Sequence, residues 1–169
     1  MIAHAESEPG KTYVERATDR ELVIRRIFRA RPRIVFDAMT KPELLRRWWA
    51  PKSLGVTLYE CDADVRVGGR YRYVFGKEGR PKMAFSGVYE EVVPGERVVY
   101  TQVFEPMKDA GEGLITATYE PYEGSFTLLV QRGIYPSKEA LDGAIASGME
   151  KGMRETLEQL EALLPDLAG

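Results

Sequence analysis

Few side chains in this sequence are suited to metal binding or nucleophilic catalysis. The chain contains one histidine, His4, and one cysteine, Cys61. A Cys/His zinc site, a Ser-His-Asp triad and a Cys-His pair all need a histidine placed in a pocket, and His4 lies in a polar leader. A single cysteine also excludes an internal disulfide bond. We therefore predict no metal site, no cofactor and no catalytic residue of these classes.

The acidic residues offer a weaker signal for acid–base chemistry. Asp62 and Asp64 are spaced like alternate residues of a strand, so both carboxylates could share one face. The same spacing is common at exposed strand ends, which is the interpretation that we favour. Four other polar side chains are candidates for anchoring a ligand, although each is more typical of a surface group: Arg47, Glu60, Arg72 and Tyr119.

The best candidates for ligand contact are aromatic. Trp48 and Trp49 end a short predicted helix, and adjacent helical residues cannot both face inward. We expect one of them in the core and the other as a lid or rim. Strand residues predicted to contact a ligand are Tyr73, Phe75, Phe85, Phe104 and Tyr119.

The last helix contributes glycine and methionine to the same candidate site. Gly148 and Gly152 would each cost about 1 kcal/mol relative to alanine inside a helix. Two explanations stay open: a close approach of the helix to a sheet, or cavity volume beside the adaptable side chains of Met149 and Met153.

These candidates need a framework of strands and helices. A strand is predicted from Glu21, followed by two short helices that begin near Pro32 and Pro42. From 55 to 132, short alternating runs separated by turn residues predict about six antiparallel strands. Between 137 and 164, apolar residues recur every three or four positions, which predicts one long helix that Ser137 caps and Pro165 ends.

The resulting prediction is an α+β fold in which a curved antiparallel sheet of six to seven strands wraps the long C-terminal helix. A chain of 169 residues fits one ordinary domain. We assign 20–165 to this domain and treat 1–19 as a flexible extension or an edge strand. A sheet that is covered at one end by a helix often retains space for an apolar guest, so we expect a pocket between them.

Composition and charge limit the class of partner. The chain is 44% hydrophobic and 30% charged, with a net charge of −2. The 11–52 segment carries 12 basic and 5 acidic residues, and 86–169 carries 6 basic and 15 acidic ones. This balance does not favour nucleic-acid binding, although either region could dock a protein of opposite charge. With no long apolar run and no signal peptide, we predict no membrane span and a cytoplasmic location.

Four strings between Glu21 and Leu164 resemble those of a known family: TKPELLRRWWAP, VGGRYRYVF, GVYEEVVPGERVVYT and SGMEKGMRETLEQLEALL. The chain is similar to the START-like (SRPBCC) family named after the C-terminal domain of the activator of the 90-kilodalton heat-shock protein's ATPase. That family belongs to the birch-pollen-allergen/START helix-grip superfamily, so the resemblance implies a helix-grip fold. The sequence departs from the usual pattern at PYEGSFTLLV, where a Gly-Gly-Lys-Thr-like hairpin is expected.

The resemblance leaves several functions open, because similar domains bind lipids, hormones or polyketides, carry out cyclisation or dehydration, or assist a chaperone. Our leading hypothesis is a non-enzymatic domain that binds a small, largely apolar molecule between sheet and helix. The first alternative is a metal-independent enzyme resembling a cyclase or dehydratase, which would need a polar, titratable group facing the cavity. The second is a chaperone-related interaction module. Self-association as a homodimer is also left open.

Overall fold

The structure is a computed structural model that describes residues 7–168, so His4 lies outside the described residues. Its strands are β1 Thr12–Arg16, β2 Glu21–Phe28, β3 Thr57–Ala63, β4 Arg70–Gly76, β5 Met83–Val93, β6 Arg97–Phe104, β7 Gly113–Tyr122 and β8 Phe126–Ile134. Its α-helices are α1 Pro32–Thr40, α2 Pro42–Leu45, α3 Lys138–Ala146 and α4 Met149–Ala168. Two 3-10 segments span Lys52–Leu54 and Glu105–Ala110.

All eight strands form one antiparallel sheet with the order β1-β2-β8-β7-β6-β5-β4-β3. The α+β class and the antiparallel sheet agree with the prediction, but the predicted count of six to seven strands is too low. The additional strand is Thr12–Arg16, which pairs with β2 in the register Thr12 to Arg26. This strand lies within 1–19, for which a flexible extension or an edge strand is predicted, and over Thr12–Arg16 the structure has the edge strand.

The main core lies between one face of the sheet and helices α1 and α4. Leu157, Leu160 and Leu164 of α4 are at most 3% exposed and pack in this core. Their partners from α1 and the sheet include Phe28, Val35, Phe36, Val98, Ala117, Tyr119 and Leu129. We call this side of the sheet the inner face, and it is the surface against which any ligand site beside α4 must form.

A buried ion pair joins α4 to the first two strands. Arg26 on β2 is 3% exposed, and its Nη2 lies 3.2 Å from Oε1 of Glu161. The Nη1 of Arg26 donates to the hydroxyl oxygen of Thr12 at 3.0 Å. Glu161 also accepts from the backbone amide of Arg29 at 3.1 Å, so one carboxylate of α4 contacts both β2 and the residue that follows it.

The long C-terminal helix is interrupted, contrary to the prediction of one continuous helix over 137–164. Ser137 caps α3 by accepting from the amide of Ala140 at 3.0 Å. The chain then leaves α3 at Ser147, and Gly148 has a φ of +84°, a left-handed conformation that favours glycine. Gly148 therefore lies between two helices and not in a helix interior.

Helix α4 also extends beyond its predicted end. Pro165 lies inside the helix, which continues to Ala168, so the prediction that Pro165 ends it is wrong. A proline in the final turn removes one helical hydrogen bond, and the buried side chains of the preceding turns keep the helix on the core. Within 7–168 no helix is long and apolar enough to cross a membrane.

Candidate functional site

Five aromatic side chains form a connected cluster on the inner face, which we call the mouth cluster: Trp49, Tyr73, Phe75, Phe85 and Phe104. The ring of Trp49 lies 5.1 Å from that of Phe75 and 5.7 Å from that of Tyr73. Phe85 stacks on Phe75 at 5.3 Å and contacts Phe104 at 5.2 Å. All five residues are half-buried, so they present apolar surface that is neither fully packed nor fully solvated.

Strand alternation and register bring four of these rings together. Tyr73 and Phe75 are two apart on β4 and therefore point to the same face. Phe85 on β5 is directly opposite Tyr73, and Phe104 on β6 is directly opposite Phe85. The four strand residues that were predicted to face inward are thus brought into one patch.

The two tryptophans follow α2 and have separate environments. Helix α2 ends at Leu45 and not near Pro51 as predicted, so both tryptophans lie in the turn that follows it. Trp48 is 5% exposed, and its indole Nε1 donates to the backbone oxygen of Ala38 at 2.8 Å. Trp49 covers the mouth cluster. Trp48 is therefore a core residue, whereas Trp49 is half-buried over the mouth cluster.

The segment 48–55, which we call the cover loop, is attached to α4 by side-chain hydrogen bonds. Gln159 Nε2 donates to the backbone oxygens of Trp48 at 2.7 Å and Ala50 at 2.9 Å. Gln159 Oε1 accepts from the amide of Lys52 at 3.0 Å. One side chain of α4 therefore holds three backbone groups of the loop that carries Trp49.

A second residue of α4 holds the far half of the cover loop. Glu155 accepts hydrogen bonds from the Ser53 amide, at 2.8 Å, and from the Ser53 hydroxyl. These bonds from Ser53 lower the pKa of Glu155. Gly152 also faces this loop, because a β-carbon there would lie 3.6 Å from Leu54 and 3.7 Å from Pro51. These are ordinary van der Waals distances, so a close approach to the sheet does not explain Gly152.

A small cavity lies behind the mouth cluster, and we call it the tyrosine cavity. Its volume is about 30 Å³, and its lining residues are Met39, Thr40, Tyr73, Tyr89, Val98, Tyr100, Tyr119 and Gln131. Tyr73 belongs to both the cavity and the mouth cluster, so the two spaces adjoin. None of the eight lining side chains is a carboxylic acid, which is the group that a cyclase- or dehydratase-like mechanism would most readily use.

Burial keeps the hydroxyls of this cavity protonated. It raises the pKa of Tyr73, Tyr100 and Tyr119, and that of Tyr89 to about 12. A side-chain hydrogen bond between Tyr73 and Tyr89 links two of them, and it raises the pKa of the donor while lowering that of the acceptor. At neutral pH these groups are uncharged and can donate or accept hydrogen bonds.

The tyrosine cavity is much smaller than the pocket expected between sheet and helix. A volume of about 30 Å³ is room for only one or two water molecules. Tyrosine, phenylalanine and tryptophan rings occupy the space around it in this conformation. A ligand larger than a few atoms must therefore displace Trp49 or its neighbours.

The remaining predicted residues do not join the mouth cluster. Tyr119 lines the tyrosine cavity, with its ring 5.2 Å from that of Phe36. Met153 packs beside the main core, and Met149 is half-buried. Gly148 is exposed in the linker between α3 and α4. The other residues that line the tyrosine cavity were not predicted as site residues: Met39, Thr40, Tyr89, Val98, Tyr100 and Gln131. For Tyr89 the signal was strand alternation, because it lies four residues after Phe85 on β5.

Among the charged candidates, Arg72 lies on the opposite face of the sheet, whereas Arg47 follows α2 and its Nη2 lies 3.8 Å from Asp166 of α4. Arg72 binds Glu105 through two hydrogen bonds, of 2.9 and 2.8 Å. This pair lies in an open groove of about 460 Å³, whose lining also includes Asp62 and Ser86. Asp64 forms an ion pair with Arg66, so Asp62 and Asp64 do not form a joint acid–base site. Arg72 therefore does not anchor a ligand in the mouth cluster.

Cys61 lies on the core side of β3 and is 2% exposed. Burial raises the pKa of its thiol to about 11, so the reactive thiolate is scarce at neutral pH. Within residues 7–168, no group of three or more His, Cys, Asp or Glu side chains could hold a metal ion.

Solved structures of other proteins share the fold of this chain over most of their length. A Rhodobacter sphaeroides protein matches with a TM-score of 0.84 and 27% identity, covering 92% of this chain and 99% of its own. A Mycobacterium smegmatis protein matches with a TM-score of 0.79 and 25% identity, covering 90% of this chain and 95% of its own. A Chromobacterium violaceum protein matches with a TM-score of 0.70 and 32% identity, covering 87% of this chain and 98% of its own. A comparison with curated proteins gives no match.

The family-level match covers most of the domain. Residues 29–165 match the family model described as activator of Hsp90 ATPase homolog 1-like protein. This range runs from the end of β2 to the last turns of α4, and so includes the cover loop, the mouth cluster and the tyrosine cavity. The chain belongs to the activator of Hsp90 ATPase homolog 1-like family.

Proposed function

We propose that this protein binds a small, largely apolar molecule at the mouth cluster, beneath the cover loop. The observation that carries the proposal is the contact network of five half-buried aromatic rings against the inner face. Aromatic rings of this size supply large apolar area at a small cost in side-chain entropy. A flat apolar ligand that inserts among them removes their remaining surface from water, which is favourable at about 25 cal/mol per Å².

Binding requires the cover loop to move from Trp49 onwards, because Trp49 rests on the rings that the ligand must reach, while Trp48 stays in the core. The loop is attached to α4 through side chains of Glu155 and Gln159, and it ends at Gly55, whose φ is +69°. Hydrogen bonds of this kind contribute about 0.5–1.5 kcal/mol each, so opening is accessible at ordinary temperature. The cover loop thus acts as a gate whose opening exposes Phe75 and Phe85.

A titration with N-phenyl-1-naphthylamine, an uncharged dye that fluoresces in apolar surroundings, tests the proposal. We expect saturable binding with one dye per chain. Replacement of a ring at the centre of the cluster, Phe85→Leu, weakens binding at least about 5-fold, since about 1 kcal/mol of contact is lost. The matched control is Phe126→Leu, which changes a half-buried phenylalanine in the separate apolar cluster that includes Val23 and Ile27. An absence of saturable binding, or equal weakening by both substitutions, would refute the proposal.

A second candidate function is association with a chaperone, which the description of the family favours. Helix α1 and the residues before it supply exposed basic groups, among them Arg31 and Arg33. A charge-led complex weakens as ionic strength rises, because salt screens exposed charges beyond about 10 Å at 0.1 M. Pull-down with purified Hsp90 at low and high salt tests this candidate, and an absence of capture at low salt rules it out.

A further inference from the structure

We propose that the ligand carries one uncharged oxygen acceptor, a carbonyl group, at the end that enters first, and that this oxygen occupies the tyrosine cavity. This inference rests on the proposed function. It assigns the apolar body of the ligand to the mouth cluster and its polar end to the cavity behind it. The site therefore selects an amphipathic molecule and not a plain hydrocarbon.

The two spaces adjoin through one residue. Tyr73 contacts Trp49 in the mouth cluster, with ring centroids 5.7 Å apart, and it also lines the tyrosine cavity. A ligand lying against Trp49 and Phe85 therefore has one end beside Tyr73, where the tyrosine cavity begins. Beyond Tyr73 the lining changes from phenylalanine to tyrosine, threonine and glutamine.

The size of the cavity fits a single oxygen-bearing group. Its volume of about 30 Å³ is room for only one or two water molecules, so it can take a carbonyl group and is too small for a ring. The bulk of the ligand must then remain in the mouth cluster. A carbonyl oxygen that replaces a water in this cavity retains the hydrogen bonds that a methyl group would lose.

The lining supplies hydrogen-bond donors without charge. The hydroxyls of Tyr73 and Tyr89 share one hydrogen bond, and whichever hydroxyl accepts it can donate its own hydrogen to another group. Tyr100 and Tyr119 contribute further hydroxyls, and Gln131 an amide. Because no lining residue is a lysine, arginine or histidine, a carboxylate would lose its hydration without gaining a counter-charge. An uncharged acceptor is therefore favoured over an anion.

Three probes that share one ring system test the inference: 2-acetylnaphthalene, 2-ethylnaphthalene and 2-naphthoate. The quantity to measure is the ratio of the 2-acetylnaphthalene and 2-ethylnaphthalene affinities, because this ratio removes the contribution of the shared ring. We expect the ratio to fall about 3- to 10-fold in Tyr100→Phe, since a neutral hydrogen bond of about 0.5–1.5 kcal/mol is lost. Tyr119→Phe serves as a second variant should Tyr100→Phe fold poorly.

The control is Tyr122→Phe, which removes a hydroxyl from the separate apolar cluster and should leave the ratio unchanged. We also expect 2-naphthoate to bind at least 10-fold more weakly than 2-acetylnaphthalene. The inference would be overturned if the affinity ratio were the same in the original protein and in both cavity variants. It would also be overturned if 2-naphthoate bound as tightly as 2-acetylnaphthalene. Either result would leave the proposed function intact. If neither 2-acetylnaphthalene nor 2-ethylnaphthalene binds, the proposed function fails, and this inference fails with it.

Discussion

The side-chain amide of Gln159 on α4 donates a hydrogen bond of 2.7 Å to the backbone oxygen of Trp48 in the cover loop. Trp49 follows directly, so the position of its ring over the mouth cluster depends on a residue more than a hundred positions away in the chain. The last helix therefore has two roles. It fills the inner face of the sheet with leucine, and it holds the loop that closes the candidate site.

Removal of this attachment should destabilise the protein and open the cover loop. Gln159→Leu loses the bonds to Trp48, Ala50 and Lys52, and we expect a decrease in the free energy of unfolding of about 1–3 kcal/mol. Urea denaturation measures this decrease, and hydrogen exchange of the loop amides reports the opening. Glu158→Leu, an exposed change one residue earlier on α4, is the control. Equal effects of both substitutions would show that Gln159 does not hold the loop.

The second attachment should depend on pH. The pKa of Glu155 is lowered from 4.5 in the folded protein by its bonds to Ser53, so its contribution is present above pH 4.5. It is lost as the pH falls through the lowered pKa. After correction for intrinsic rates, the Ser53 amide should exchange faster at pH 3 than at pH 6. In Glu155→Gln this pH dependence should disappear. Its persistence in the variant would assign the effect to another group.

Two glycines should respond in opposite directions to the same substitution. A β-carbon at Gly87 would lie 1.9 Å from the backbone oxygen of Thr101 and 2.8 Å from the ring of Tyr71. Gly87→Ala should therefore cost at least about 2 kcal/mol. Gly143 in α3 has no atom within 4 Å of that position, and Gly143→Ala should stabilise the protein by about 0.5–1 kcal/mol. Thermal denaturation compares them, and a tolerated Gly87→Ala would contradict the close packing of Tyr71.

The cavity tyrosines should couple their ionisation to alkaline unfolding. Their pKa values are raised by burial above 10.0, so their contribution to stability is complete below pH 10 and is lost as the pH rises through the raised values. The pKa of Tyr89 is raised to about 12, so this residue should ionise as the pH rises from 10 through 12. Phenolate absorbance from these residues should appear together with the loss of near-ultraviolet circular dichroism. Complete ionisation near pH 10 in a protein that remains folded would contradict their burial.

Local patterns predicted most of the inner face. Period-two alternation on β4 placed Tyr73 and Phe75 together. Adjacency also indicated different environments for Trp48 and Trp49, although the predicted helix was wrong and the pattern did not say which of them faces the core. These predictions succeed because side-chain direction in a strand or a helical turn follows from local geometry. The same reasoning could have found Tyr89, which continues the alternation of Phe85 on β5.

Other features depend on contacts that no local pattern contains. The bonds of Gln159 and Glu155 to the cover loop join residues about 100 positions apart. The interruption at Gly148 was hidden because the apolar spacing continues across it, from Leu141 to Leu157. The small size of the tyrosine cavity follows from how far each ring extends across the inner face, and alternation specifies only the side to which a ring points.

The most direct test of the central claim is ¹⁵N NMR of the two tryptophan indoles during titration with N-phenyl-1-naphthylamine. The Trp48 indole is bound to the backbone oxygen of Ala38 in the core, whereas Trp49 lies on Phe75 and Tyr73. We expect a large, saturable shift of the Trp49 signal and a much smaller change for Trp48. An unmoved Trp49 signal at saturating dye would contradict ligand binding at the mouth cluster.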